Sequence, residues 1–325
     1  MIATALWHLA PGQTSLRPTP LPPLAPGWVT VQTLHSAISR GTEALVLAGR
    51  VPPNLYTEMR APFQEGDFPF PVKYGYAAAG RIIEGPAERL GETVFCLFPH
   101  QDRFRVPGEA ALTVPADVPP TRAILAANLE TALNACWDAA PRIGDAIAIV
   151  GGGLVGLLLA RLLQPIPAIR LTLIEPDPAK RAIAANLGLD ARPSRQDLAD
   201  DHALVFHTSA SADGLALALD LAAPEGVIIE LSWYGDNPPP VPLGGRFHAR
   251  RLRLICSQVG QVATAQRTHY THRQRLALAL RLLSDPAWDQ LITGSTPFAD
   301  LPTLLPALAK DGRGVLCHRI DYPVD

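Results

Sequence analysis

The sequence predicts an α/β fold built on a doubly wound parallel sheet, and three observations carry that reading. Beyond Pro141 short apolar runs alternate with helical segments, the order that β-α-β units produce. The first of those runs, Ile147-Ala-Ile-Val150, leads straight into a glycine-rich turn. Residues 1–120 are written differently, as strands and loops broken by Pro and Gly, so a β-rich part accompanies the parallel sheet.

The elements follow in order. Residues 29–34, 80–83 and 92–98 are β-rich runs, and Pro119-Pro120 closes this part. Residues 121–140 suit a helix, with Pro141 as its stop. Then come a buried strand at 146–150, a helix at 154–163, a strand at 169–174 and a helix at 179–187 ended by Gly188. Strands at 203–206 and 227–231 flank a helix at 214–222, and 252–259 adds a sixth strand. The tail reads as helices at 273–283 and 301–309 and a strand at 314–320.

Composition narrows the function classes. The 325 residues carry 28 basic and 30 acidic side chains, a formal charge of −2, which argues against a nucleic-acid partner. With 48% hydrophobic and only 18% charged residues the chain can build full-sized cores, and its length suggests two domains. Four separated cysteines, Cys96, Cys136, Cys256 and Cys317, form no C-x-x-C pair, so neither a cysteine-rich zinc lobe nor a disulfide scaffold is expected. Residues 1–17 lack a signal-peptide pattern, and the uncharged stretch 146–160 is too short for a membrane span. The expectation is a cytoplasmic protein with a small-molecule substrate and no membrane association.

Gly151-Gly152-Gly153-Leu154-Val155-Gly156 has the G-x-G-x-x-G spacing between strand and helix that a dinucleotide site requires. Gly151 permits the tight turn, Gly153 lets a pyrophosphate approach backbone N–H groups, and Gly156 lets the helix pack on the sheet. Leu154 and Val155 belong to the same cofactor-binding loop. The next strand ends at Glu175, where a carboxylate can accept the ribose hydroxyls. An acid there repels a 2′-phosphate, so NAD is favoured over NADP; Lys180 and Arg181 keep NADP open. Thr208, Ser232 and Ser257 each follow a predicted strand on the side where parallel sheets present ligand-facing loops.

Four segments carry a resemblance over essentially the whole chain: Ser39-Arg40-Gly41-Thr42-Glu43, Gly75-Tyr76-Ala77-Ala78-Ala79-Gly80, Glu130-Thr131-Ala132-Leu133-Asn134 and the Gly151–Gly156 loop. Together they resemble the medium-chain dehydrogenase/reductase superfamily. The resemblance implies a doubly wound parallel Rossmann sheet at 121–261, inserted into a GroES-like catalytic domain made of 1–120 and 262–325. It also implies an active site in the cleft between domains, Thr131 at the nicotinamide end, and a homodimer paired through the sixth strand.

The departures point to a branch without zinc. Where zinc-dependent members carry Cys, His and a second Cys, this chain has Arg40, Tyr76 and Ala127. No metal is therefore expected, although Cys96 with His100 and His269 with His272 are spaced as partial ligand sets. The Gly-Thr-Glu and Gly-Tyr pieces look like the group that includes bacteriochlorophyllide hydroxyethyl dehydrogenases, from which Ala77 departs where a carboxylate is expected.

Hydride transfer to a carbonyl builds negative charge on oxygen, and some group must answer it in place of zinc. Tyr76 offers a phenol and Arg40 a permanent cation, while Thr42 matches the hydroxyl that relays protons in relatives. Arg40 also has a structural reading, as the partner of Glu43 or Glu65. His100, in Phe98-Pro99-His100-Gln101-Asp102-Arg103, is a further acid–base candidate. The expected activity is a zinc-independent, NAD-favouring alcohol/carbonyl oxidoreductase. A quinone- or enoyl-reductase-like NADPH enzyme and a non-catalytic dinucleotide sensor are the alternatives.

Overall fold

A hairpin that the sequence pattern does not announce opens the chain: β1 (Ile2–Ala10) and β2 (Gln13–Pro20) pair antiparallel. The computed structural model describes residues 1–323. Next come β3 (Trp28–Ile38), α1 (Arg40–Leu47), β4 (Glu65–Gly66), β5 (Val72–Lys73), β6 (Ala78–Glu84), β7 (Thr93–Cys96), β8 (Arg103–Pro107), β9 (Leu112–Thr113) and α2 (Pro120–Ala123). Alternation explains β8, where Phe104 and Val106 are buried at every second residue and join Val29 and Val31 of β3, Ile82 and Val94 in one core; in β3 the intervening Thr30 is buried as well. The helix expected over 121–140 is two helices, α2 and α3 (Ala126–Ala139), with a break at Ile124 and Leu125. Arg122 explains where α2 is tied: its guanidinium forms a two-pronged pair with Asp289 at 2.7 and 2.6 Å.

The parallel sheet then forms from β10 (Ala146–Val150), α4 (Leu154–Leu163), β11 (Arg170–Ile174), α5 (Pro178–Asn186), β12 (Ala191–Arg192), β13 (His202–His207), α6 (Ala212–Leu221), β14 (Ala222–Glu230) and β15 (Arg253–Cys256). Its six strands run parallel in the order β12-β11-β10-β13-β14-β15. All five residues of β10 are buried, as a central strand covered on both faces must be. Local capping sets the helix starts. Asp177 accepts the Ala179 N–H ahead of Pro178, and Ser211 accepts that of Gly214. β14 starts at Ala222, earlier than the expected 227.

The tail supplies α7 (His272–Leu282), β16 (Ile292–Pro297), α8 (Leu301–Lys310) and β17 (Cys317–Asp321). β17 pairs antiparallel with β3, so the end of the chain completes the N-terminal sheet, whose order is β16-β17-β3-β6-β7-β9 with β8 also on β3. A second sheet runs β2-β1-β5-β4. The chain thus divides into a β-rich unit, Met1–Ala127 with the stretch from Ala277, and a parallel-sheet unit, Asn128–Leu276. Among the described residues no helix is long and apolar enough to cross a membrane.

Candidate functional site

In the parallel-sheet unit the site is made from backbone. Gly151 leaves β10 with φ +112, and a Cβ there would lie 2.8 Å from the Ser209 nitrogen. A Cβ on Gly156 would stand 2.0 Å from the Gly151 carbonyl oxygen, so α4 approaches the turn only because that residue has no side chain. Gly153 differs: a Cβ there would face open space, with nothing within 4 Å. It is the N-cap of α4 with no side-chain hydrogen bond, and Leu154 and Val155 supply first-turn N–H groups that no intrahelical carbonyl reaches.

Glu175 sits directly over this turn. Its Oε2 accepts the Gly152 N–H at 2.8 Å and its Oε1 accepts the Asp177 N–H at 2.8 Å, so both carboxylate oxygens are oriented by backbone. A Cβ on Gly152 would be 2.7 Å from Glu175 Cβ, which gives that glycine, unassigned by the motif spacing, a role of its own. Lys180 is mostly buried, with Nζ 4.0 Å from Asp177 Oδ2. Arg181 donates to the carbonyl oxygens of Glu175 and Pro176 at 2.8 and 2.7 Å.

The remaining expected cofactor positions occupy different surroundings. Thr208 donates to the Gly151 carbonyl at 2.7 Å and pins the turn. Ser232 accepts the Ala210 N–H at 3.1 Å. Ser257 is buried and donates to Asp138 Oδ2 at 2.6 Å. Thr131 is half-buried on α3, one residue past Glu130. Glu130 and Asn134 of the same helix hold the buried Arg275, at 2.9 and 2.5 Å, and Arg275 also donates to the Val259 and Gln261 carbonyls. That Glu-Thr-Ala-Leu-Asn segment therefore has a structural purpose that spacing alone did not reveal.

The β-rich unit carries a sealed polar network. Glu43, fully buried on α1, accepts the Ser39 N–H at 2.7 Å through Oε1 and the His100 Nε2 at 3.0 Å through Oε2. With Nε2–H donating, Nδ1 of the neutral imidazole accepts from Ser36 Oγ at 2.7 Å, and Ser36 meets the Tyr322 hydroxyl at 3.0 Å. His100 is only 1% exposed, and both nitrogens are engaged inside the protein. Gly75, with φ +120, lets the His100 ring pack against the backbone beside Tyr76. The Tyr76 phenol shares hydrogen bonds with the Ser39 and Thr42 side chains, and the Tyr74 ring meets its edge at 6.0 Å. Burial, helped by the Glu43 charge, pushes this phenol up to about 12 against the opposing effect of those two hydroxyls.

His8 belongs to the same interior. It is fully buried, neither ring nitrogen has a protein hydrogen-bond partner, and burial holds its imidazole down at about 4. Nothing in the sequence singled it out, because its position is visible only once β1 is paired. Arg40, half-buried at the start of α1, lies along Gly312, where a Cβ would be 2.5 Å from Arg40 Cδ. Of the two carboxylates expected beside it, Glu43 holds His100, and Glu65 pairs with the buried Lys73.

Arg40, Tyr76 and Ala127, the positions at which the resemblance expects zinc ligands, carry no thiolate, imidazole or carboxylate, and among the described residues no three His, Cys, Asp or Glu side chains gather as a metal-holding group. The residues present do not fit a catalytic zinc.

The chain matches no protein-family model. It is 30% identical over 187 residues to 2-desacetyl-2-hydroxyethyl bacteriochlorophyllide A dehydrogenase of Cereibacter sphaeroides, covering 50% of this chain and 53% of that protein. The chain thus spans about half the length of the curated relative it matches. Solved structures align over nearly the whole chain. A short chain alcohol dehydrogenase of Escherichia coli CFT073 in complex with NADH superposes with a TM-score of 0.76 at 15% identity, covering 98% of this chain and 99% of that one. A protein of Sinorhizobium meliloti described as a zinc-binding dehydrogenase, bound to NADP, gives 0.78 at 18%, covering 99% of each chain. L-idonate 5-dehydrogenase of E. coli K-12 gives 0.79 at 14%, covering 99% and 98%. A parallel six-stranded sheet inserted in the sequence of a β-rich unit is the fold that the chain shares with these solved dehydrogenase structures.

Proposed function

We propose that the protein is a nicotinamide-dinucleotide oxidoreductase that interconverts an alcohol and a carbonyl without a metal, with NAD the preferred dinucleotide. The observation that carries the reading is Glu175, whose carboxylate is fixed over the Gly152 amide at the end of β11, next to the open space in front of Gly153. A carboxylate held there accepts ribose hydroxyls and repels a 2′-phosphate. The dinucleotide supplies the hydride acceptor or donor. The chain's own part is the proton: Tyr76, coupled to the Thr42 and Ser39 hydroxyls, gives it to or takes it from the substrate oxygen. Glu43 and His100 act behind this group by fixing the start of α1. Arg40 adds positive charge at the same helix start.

The relative's name places a hydroxyethyl-bearing chlorin among the substrates to try, alongside simple secondary alcohols and ketones. A second reading, an NADPH-dependent quinone or enoyl reductase, is favoured by Arg181, whose guanidinium sits at the carbonyls of Glu175 and Pro176. We further propose a cytoplasmic homodimer. Its four cysteines are free, as a reducing compartment keeps them, and all four residues of the edge strand β15 are exposed, including Leu254 and Ile255. Light scattering that returns a monomer removes the dimer.

Titration with NADH and NADPH, followed by turnover on an alcohol, ketone and quinone panel, tests the activity. Tyr76→Phe is expected to keep dinucleotide affinity and to lose turnover by about 10²–10⁴-fold. Full turnover in that variant removes Tyr76 from the reaction, and tight binding without turnover on any substrate supports a sensor instead.

A further inference from the structure

A second constellation, which the oxidoreductase reading does not use, stands at the ends of β13 and β14. His207 Nδ1 lies 2.7 Å from Glu230 Oε2, and His207 Nε2 lies 2.7 Å from Ser209 Oγ. With Nδ1–H donating to the carboxylate, Nε2 is left as the acceptor of the Ser209 hydroxyl proton. This is the order nucleophile, base, orienting acid, at the separations that base-activated serines show. His207 is fully buried while Ser209 is exposed, so the base is shielded and the serine lies at the surface.

The surroundings support the same arrangement. Glu230 also accepts from the Tyr234 hydroxyl at 3.2 Å and, through Oε1, from the Ser232 N–H at 2.7 Å. Burial pushes the Glu230 carboxyl up, but the hydrogen bonds from His207 and Ser232 outweigh it and hold the group below the usual carboxylate range. Ser209 sits on a tight strand-to-helix turn, and the next residue, Ala210, takes a left-handed φ of 53° without being glycine. Gly214 makes room: a Cβ there would fall 2.1 Å from Ser209 Oγ and 2.8 Å from His207 Nε2. Ser211 lies 2.9 Å from Ser209 Oγ as well, while its own Oγ accepts the Gly214 N–H.

We propose that Ser209, activated by His207 and oriented through Glu230, is a nucleophile that accepts acyl groups from small activated carboxylic esters. Ser209 Oγ forms the new bond to the acyl carbon and its proton passes to His207 Nε2. The ester C–O bond breaks, and the leaving alcohol takes that proton. Water then attacks the acyl-serine, gives a proton to Nε2, and releases the carboxylic acid with Ser209 restored. No electrons change hands and no further reactant is needed. The Ala210 N–H, the nearest backbone donor after the serine, is occupied by Ser232 Oγ at 3.1 Å. An ester oxygen has to displace that hydroxyl in both half-reactions, so turnover is expected to be slow, and acylation is the faster step only where the ester carries a good leaving group.

The test uses the purified full chain without dinucleotide, so its failure and the failure of the oxidoreductase reading are separate results. A fluorophosphonate probe is expected to label one serine, mapped by peptide mass spectrometry to Ser209. p-Nitrophenyl acetate is expected to release a burst of one equivalent of p-nitrophenolate. Labelling is expected to fall about 100-fold or more in Ser209→Ala and in His207→Gln. Glu230→Gln, which keeps the shape of the acid, is expected to lower it as well. Labelling that is no faster than in the urea-unfolded chain, that maps to another residue, or that persists in a folded His207→Gln variant overturns the proposal. The comparison with unfolded wild-type chain holds even where a variant does not fold.

Discussion

The glycine turn of the parallel-sheet unit and the polar network of the β-rich unit are built in opposite ways. The turn is backbone: Gly151, Gly152 and Gly156 are needed because a Cβ would strike Ser209, Glu175 or the Gly151 carbonyl. The network is side chains in a dry interior, where Ser36, Glu43 and His100 are all at most 1% exposed and each satisfies another. The turn uses residues within one short stretch and the ends of neighbouring strands. The network joins Ser36 to Tyr322 and to His100 across long separations in the chain. The first tolerates loss of a hydrogen bond but not added volume; the second tolerates neither the loss of a charge nor its exposure.

The largest expected effect tests the second half of that contrast. Glu43→Ala leaves the Ser39 N–H and the His100 Nε2 without their acceptor in a fully buried position. Leaving a buried donor unsatisfied costs about 1–3 kcal/mol, and two donors are left here. Urea unfolding should show a loss of that size, with Glu43→Gln intermediate because its amide oxygen still accepts one bond. A loss below about 1 kcal/mol in the alanine variant, the size of an ordinary exposed pair, means the network is not sealed.

His8 sharpens the same point through pH. Its imidazole is held at about 4 in the fold, first by burial, with Glu43 pulling it up and His100 pushing it down, against 6.5 for the free side chain. A depressed folded pKa means that the unfolded chain binds the proton first as pH falls. The stability His8 contributes is whole above pH 6.5 and drains between 6.5 and 4, by about 3 kcal/mol in all. His8→Phe, which fills the same space and gives up no protein hydrogen bond, should flatten the stability profile across that window. An unchanged profile moves the acid sensitivity to other groups.

These two regions also differ in how far they were legible beforehand. Alternating runs and one glycine spacing made the six-stranded sheet readable, because strand burial and helix caps such as Asp177 and Ser211 are local. Gly152 went unassigned only because its reason, the Glu175 carboxylate, arrives from the next strand. In the β-rich unit the short strands β4 and β5 have two residues each, too few for a period to register. The first hairpin was missed, and with it His8. Glu43 stands in a recognisable motif, yet its true partner, His100, drew notice for a different role. Pairing of that kind is set by tertiary packing, and no window of sequence contains it.

Within the glycine turn, volume is the sensitive quantity. Gly156→Ala drives a methyl to 2.0 Å from the Gly151 carbonyl oxygen, a backbone atom that cannot step aside. Overpacking of this kind costs typically about 1–3 kcal/mol, and α4 should lift from the sheet. Thermal unfolding and dinucleotide titration should both deteriorate in this variant.

Gly153→Ala is the smallest expected effect on stability and the most telling about the site. Its added methyl meets nothing within 4 Å, and its backbone, with φ −70 and ψ −176 as the N-cap of α4, is open to any residue. At this half-buried N-cap alanine is less favourable than glycine by about 0.5–1 kcal/mol, so the unfolding free energy should fall by no more than that. Packing therefore gives no reason for glycine here. If the space in front of Gly153 holds a pyrophosphate against the first-turn amides of Leu154 and Val155, the methyl intrudes on the ligand alone, and affinity for NADH should fall about tenfold or more, roughly 1.4 kcal/mol. Stability lost together with affinity would mean that Gly153 is structural like Gly156. Both unchanged would mean that the dinucleotide does not approach this turn, and the Glu175 carboxylate would then need another explanation.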